Sequence, residues 1–215
     1  MRYFKIEYSI NKSIIGTTFP QSQNANHKIS IDDENHIWNQ KPGILKASVV
    51  IPDIILSKLA KKTDLISDVT LGRFLILSDK LKSIIEKYAN NSELQFVEIK
   101  LIVKKEIFNY WILNPIIFRN DFIDFEKSDN WIEGSGFIKI RKVNISSYAE
   151  FNQIKDSLIY PEWLTIHNFK LVRNINQHFF QLSNLKNTNS NFISEKLKHE
   201  IEKENCTGID FELVE

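Results

Sequence analysis

The side chains able to do acid-base or metal chemistry are few and scattered along the 215 residues. Five histidines, His27, His36, His167, His178 and His199, include no pair at the i, i+4 spacing that sets two imidazoles on one helical face, and none sits in an acid-rich cluster. His167 and His178 fall on adjacent predicted strands, and with Glu162 they form the cluster that an enzyme acting on a small molecule or nucleotide would use. Gly134-Ser135-Gly136 has the only G-x-G spacing, but it lacks the third glycine and the strand-to-helix context of a dinucleotide loop, so it reads as a turn. Cys206 is the sole cysteine, which excludes an intramolecular disulfide and a zinc site built on two thiolates. Its place near a predicted helix C-terminus is the wrong end to stabilise a thiolate. No catalytic, cofactor-binding or metal-binding residue is assigned, and no bound metal or organic cofactor is expected.

Binding chemistry is easier to place. Trp131 and Trp163 lie in polar segments, Ser128-Asp-Asn-Trp-Ile-Glu-Gly134 and Tyr160-Pro-Glu-Trp163. A rigid aromatic in a loop beside carboxylates suits a protein interface, because it buries much area at small entropic cost while the carboxylates meet a basic cleft. Asp129, Trp131, Glu133, Tyr160, Glu162 and Trp163 are therefore the candidate partner-binding residues, with loops folded back over the core as the competing explanation.

Strands dominate the elements that must position these residues. Alternation predicts strands over 3–10 and 28–38 with polar loop over 17–26, and a short strand at Leu45, Ala47 and Val49 after the Pro42-Gly43 turn. A helix is expected over 53–62, with Ile54, Ile55 and Leu59 on one face, and a strand over 74–77. Leu81, Ile84, Ile85 and Tyr88 recur at i, i+3, i+4 and i+7 behind Ser78, the clearest helical face in the chain. Residues from Leu94 to Val103 and from Ile107 to Leu113 read as two antiparallel strands, with further strands over 137–145, 165–172 and 178–182. No strand-helix-strand rhythm points to a parallel sheet, so the fold class is α+β, a mainly antiparallel sheet with a few packed helices.

One pattern occurs twice. Residues 77–87 align without gaps on 193–203 with seven of eleven positions identical, and Leu94-Gln95-Phe96 then matches Ile209-Asp210-Phe211. Each copy reads apolar residue, Ser cap, amphipathic helix, turn, strand, and Gly208 stands where a left-handed residue ends a helix. The Ser-acid-Lys-Leu-Lys helix, the strand around Asn109 to Asn114, the segment Ile123 to Ser128 and the closing Thr-Gly-Ile-Asp-Phe resemble the bacterial immunity-protein family eleven, formerly a family of unknown function. The resemblance covers about residues 68–215 and implies neutralisation of a cognate toxin of a polymorphic toxin system. It transfers no catalytic residue. Residues 1–67 are expected to be a variable N-terminal part packed on the immunity-protein-like domain 68–215 as one compact unit.

Composition is compatible with this reading. Lys plus Arg total 28 and Asp plus Glu 27, so a net charge of +1 provides no field for nucleic acid or anionic lipid. No leader or membrane-spanning stretch is read from the sequence, and with one cysteine a cytoplasmic location is expected. The first reading is a non-catalytic binding protein for a toxin. The alternatives are the His167/His178/Glu162 enzyme and a structural adaptor of a secretion system, which would expose the Leu81/Ile84/Ile85 stripe.

Overall fold

The computed structural model describes residues 1–186 and 190–214. In chain order the elements are β1 (Tyr3–Tyr8), α1 (Lys12–Ile15), β2 (Ser22–Asn26), β3 (Asp53–Leu56), β4 (Leu65–Ile66), β5 (Leu75–Leu77), α2 (Asp79–Tyr88), β6 (Leu94–Val103) and β7 (Glu106–Pro115). These are followed by β8 (Asn130–Gly134), β9 (Ile138–Lys142), α3 (Tyr148–Ser157), β10 (Trp163–Ile166), β11 (Phe179–Leu182), β12 (Ser190–Ser194), α4 (Glu195–Lys203) and β13 (Ile209–Val214). The class is α+β, and all strand pairs but β3 with β6 are antiparallel among the named strands.

Among the described residues three sheets are present, ordered β2-β3-β6-β7-β5-β4, β11-β12-β1-β13 and β10-β8-β9. The first two share a design. In one, β5 leads through α2 into β6, and β7 fills the gap between them; in the other, β12 leads through α4 into β13, and β1 fills the gap. The chain end nearest the start of the sequence is thus an interior strand of the second sheet. Both helices begin on a serine: Ser78 Oγ accepts the Leu81 N–H and Ser194 Oγ the Leu197 N–H, each at 3.2 Å. Each cap hydroxyl also makes an outward hydrogen bond: Ser78 donates to Asp64 Oδ1 at 2.7 Å, and Ser194 Oγ lies 2.8 Å from His178 Nδ1. Asp64 and His178 stand just before β4 and β11, the outermost strands of the two arrangements.

Leu81 and Ile85 of α2 and Leu197 and Ile201 of α4 share one core with Leu77, Leu113, Phe179 and Ile193. Burying each such side chain stabilises by about 1.5–3 kcal/mol. A second core, with Ile54, Ile76 and Ile112, covers the six-stranded sheet. The third, with Ile132, Phe151, Phe180 and Phe192, lies between the three-stranded and four-stranded sheets. The first two sheets meet where Asp64 and Leu65 N–H donate to Thr207 O, both at 3.1 Å.

Several expected elements take another form. Residues 53–62 are not a helix: Asp53–Leu56 is a strand with Ile54 and Leu56 inward, because alternation over four residues also satisfies part of a helical pattern and the parallel partner β6 selects the extended form. Its other neighbour, β2, lies in the stretch expected to be loop; Ser-Gln-Asn-Ala-Asn has little strand preference and is held as an edge by pairing with β3. Residues 28–38 form turns and a 3-10 segment, Ile37–Asn39, instead of a strand. Leu45 is buried without a strand, since Gln95 supplies its backbone partners at 2.8 and 3.0 Å. The strands at 137–145 and 165–172 are Ile138–Lys142 and Trp163–Ile166. Helix α3, capped by Ser147, was not expected; only Phe151 of it is buried, too little to print a periodic stripe.

Candidate functional site

The two polar segments singled out by their tryptophans are strands that pair. Glu133 of β8 lies opposite Trp163 of β10, and Trp131 opposite Thr165. Alternation puts Trp131 and Glu133 on one face and Ile132 in the core on the other. The remaining candidates are spread along this sheet. Asp129 precedes β8 at one end, whereas Tyr160 and Glu162 precede β10 at the other, so roughly 13 Å of strand separates Asp129 from the Trp163 end at ~3.3 Å per residue.

Glu133 is 3% exposed. One oxygen accepts from Thr165 Oγ1 at 2.9 Å and the other lies 2.6 Å from His167 Nε2. It offers no free charge at the surface; it fixes Thr165 and His167 on the strand beside it. Asp129 is half-buried and pairs with Lys142 Nζ at 2.7 Å, and that ammonium holds its carboxyl below the usual carboxylate range. Trp131 carries the Lys139 ammonium 4.2 Å from its ring centre, a cation-π contact. Tyr160 is 89% exposed, and the Trp163 ring is met edge-on by Phe137, itself 72% exposed, at 5.7 Å. Phe137 holds a left-handed φ of 60°, which turns the chain between β8 and β9.

Trp163, Phe137 and Glu133 line a cavity of about 620 Å³ that also takes in Lys5, Glu7 and Arg73. Burial pulls the Arg73 guanidinium pKa down, and two of its five N–H donors go to the Gln40 and Ile37 carbonyls at 2.8 and 3.4 Å. Lys5 and Glu7 pair with one another. The cleft is therefore aromatic on one wall, with the Lys5–Glu7 pair and the cationic Arg73 guanidinium on the other. Phe137, Lys5 and Arg73 were missed in the sequence, and so was the bond between Glu133 and His167. The spacing of Trp131 with Glu133 and of Thr165 with His167 marks shared faces, but only the strand register brings the two pairs together.

The enzyme cluster does not assemble. His167 bonds Glu133, while His178 is engaged by Ser194 and packs on Tyr88 with ring centres 5.7 Å apart. The Glu162 N–H donates to Ile159 O in the turn before β10, and the cavity beside Trp163 is lined by none of these three residues. The adaptor stripe is also absent from the surface, because Leu81 and Ile85 are buried. Among the described residues no group of three or more His, Cys, Asp or Glu could hold a metal ion, and no helix is long and apolar enough to cross a membrane.

The fold and this surface define an α+β protein with two helix-bearing sheets and an aromatic-rimmed third sheet beside a cleft. The chain belongs to the immunity protein family Imm11, whose model matches residues 3–215. The match takes in the N-terminal part, beyond the region the sequence motifs cover. Comparison with curated proteins and with solved structures found no match. Family membership gives the protein an immunity-type function, directed against a toxin.

Proposed function

We propose that this protein binds a cognate toxin domain of a polymorphic toxin system and neutralises it by occlusion, without catalysis or cofactor, in the cytoplasm of the cell it protects. The family match across residues 3–215 carries this reading. The contact surface is the aromatic end of the three-stranded sheet, where Trp163 and Phe137 pack together and the exposed Tyr160, with Glu162, lies in the segment leading into β10, and Trp131 and Asp129 extend the surface along the strands. Aromatic side chains held by a sheet supply anchors that lose little entropy on binding. Glu133 supports the patch from beneath through Thr165 and His167. Residues 1–67 and 68–215 act as one unit, supported by β1 lying between β12 and β13. A net charge of +1 leaves recognition to this local patch and argues against nucleic acid as partner.

Co-expression with candidate toxin domains tests the proposal. The cognate toxin should stop growth alone, and the immunity protein should restore growth and co-purify with it. Rescue without a complex would show that protection works by another route.

A further inference from the structure

Among the described residues strand β9 has a neighbour on one side only, and all five of its residues are exposed, Ile138 at 67% and Ile140 at 51%. Its backbone geometry leaves bonds to give. Val143 N–H donates to Asn130 O at 3.0 Å, so strand alternation turns the N–H and C=O of Lys142 away from β8. The side chains divide by face. Lys139 and Lys142 are paired with Glu133 and Trp131 on the aromatic face, while Ile138 and Arg141 are paired with Gly134 and Ile132 on the other. A bulge between these pairs places Ile140 Cδ1 3.0 Å from where a Gly134 Cβ would stand, so it too lies on the second face.

We propose that β9 is a docking edge that takes up an extended segment of the toxin domain as a fourth strand, with acidic and apolar side chains alternating in that segment. The inference deepens the immunity reading and rests on it. Charge selects the occupant: the strand carries Lys139, Arg141 and Lys142 and no acid. Lys142 is held by Asp129, whereas Lys139 has no ion pair among the described residues and rests on the Trp131 ring, so its charge is open to a partner's carboxylate. An incoming strand with a carboxylate facing Lys139 and apolar groups facing Ile138 and Ile140 meets both faces at once. A second copy fits worse. Antiparallel pairing of two β9 strands about Ile140 sets the Lys139 of each copy opposite the Arg141 of the other, and like charges directly opposite are unfavourable. The edge is also continuous with the aromatic patch, since Phe137, next to Ile138, packs on Trp163.

Hydrogen exchange on the complex with the toxin domain identified by rescue tests this. Amides of residues 138–142 should slow by about tenfold or more on binding. Lys139→Glu should weaken binding about tenfold at low salt, with the deficit shrinking as salt rises, while Lys105→Glu in the β6–β7 turn leaves it unchanged. Melting curves matching the wild type establish that both variants are folded. A complex that forms without protection of 138–142 overturns the docking edge and leaves the immunity function standing. Protection that appears without toxin and grows with protein concentration assigns the edge to a second copy and overturns the proposal. Absence of both rescue and complex in the wild type overturns both readings.

Discussion

Glu133 is the side chain whose loss should be felt most at the level of single residues. It is buried with both oxygens engaged, and Glu133→Ala leaves Thr165 and His167 facing an empty space; each buried polar group left without its partner costs about 1–3 kcal/mol. Urea denaturation should show that loss, and an unchanged midpoint would mean that water replaces the carboxylate. The histidines set the acid response. The His36 pKa is lowered by burial and by His27, partly offset by Asp33, and the His178 pKa is lowered by burial and by Lys196. A hydrogen bond supports the neutral form of His36, whose Nδ1 accepts the Trp38 N–H at 3.2 Å. A histidine with a folded pKa below its unfolded value of about 6.5 favours the native state fully above that value. The advantage fades as pH falls through it toward the folded pKa. Thermal midpoints should therefore be lower at about pH 5 than at about pH 7.5, before the carboxylates protonate. Equal midpoints would show that neither histidine resists protonation.

At the scale of elements, the two serine caps are more than helix starts. Loss of an N-cap hydroxyl costs about 1 kcal/mol, and Ser78→Ala and Ser194→Ala should exceed that by also stranding Asp64 and His178. Ser147→Ala, where the hydroxyl only caps α3, is the control and should stay near the simple value. Equal costs at all three positions would reduce Asp64 and His178 to bystanders. Asp64 itself joins three elements. Burial would raise its pKa, but bonds from Ser78 and Thr207 and the Lys80 ammonium outweigh that and hold it down. Between α4 and β13, Gly208 has φ 84°, and a Cβ there would lie 2.3 Å from Leu65 O and 2.6 Å from Thr63 Oγ1. Gly208→Ala should cost about 3 kcal/mol or more in chemical denaturation, because strain and collision act together. A cost near 1 kcal/mol would mean that the β4 junction yields.

For the whole molecule, the question is how a nearly neutral protein finds and holds a partner. If the patch is the anchor, Trp163→Ala should weaken toxin binding by about 2 kcal/mol, roughly thirtyfold, with an unchanged melting curve. Glu162→Lys, at the rim, should act mainly on the association rate and its salt dependence. Calorimetry and stopped-flow measurement separate the two. Full protection by both variants would remove the patch from the interface while leaving the family's immunity role intact.

What was legible in the chain had local causes. The α2 and α4 helices follow from a Ser cap and a 3.6-residue stripe, the β6–β7 hairpin from two alternating runs across Lys104-Lys105, and the turn at Gly208 from a glycine after a helix. Each of these signals acts within a few residues, so the sequence alone was enough. Elements chosen by a distant neighbour were not legible: β3 is extended because β6 lies beside it, and β2 exists because β3 does. The site has the same dependence. Trp131, Glu133 and Trp163 were visible as residue types, but their use was decided when β8 and β10 paired. That register buried Glu133 on His167 and turned two presumed loops into one sheet, since pairing over thirty-odd residues of separation is set by packing that no local pattern encodes.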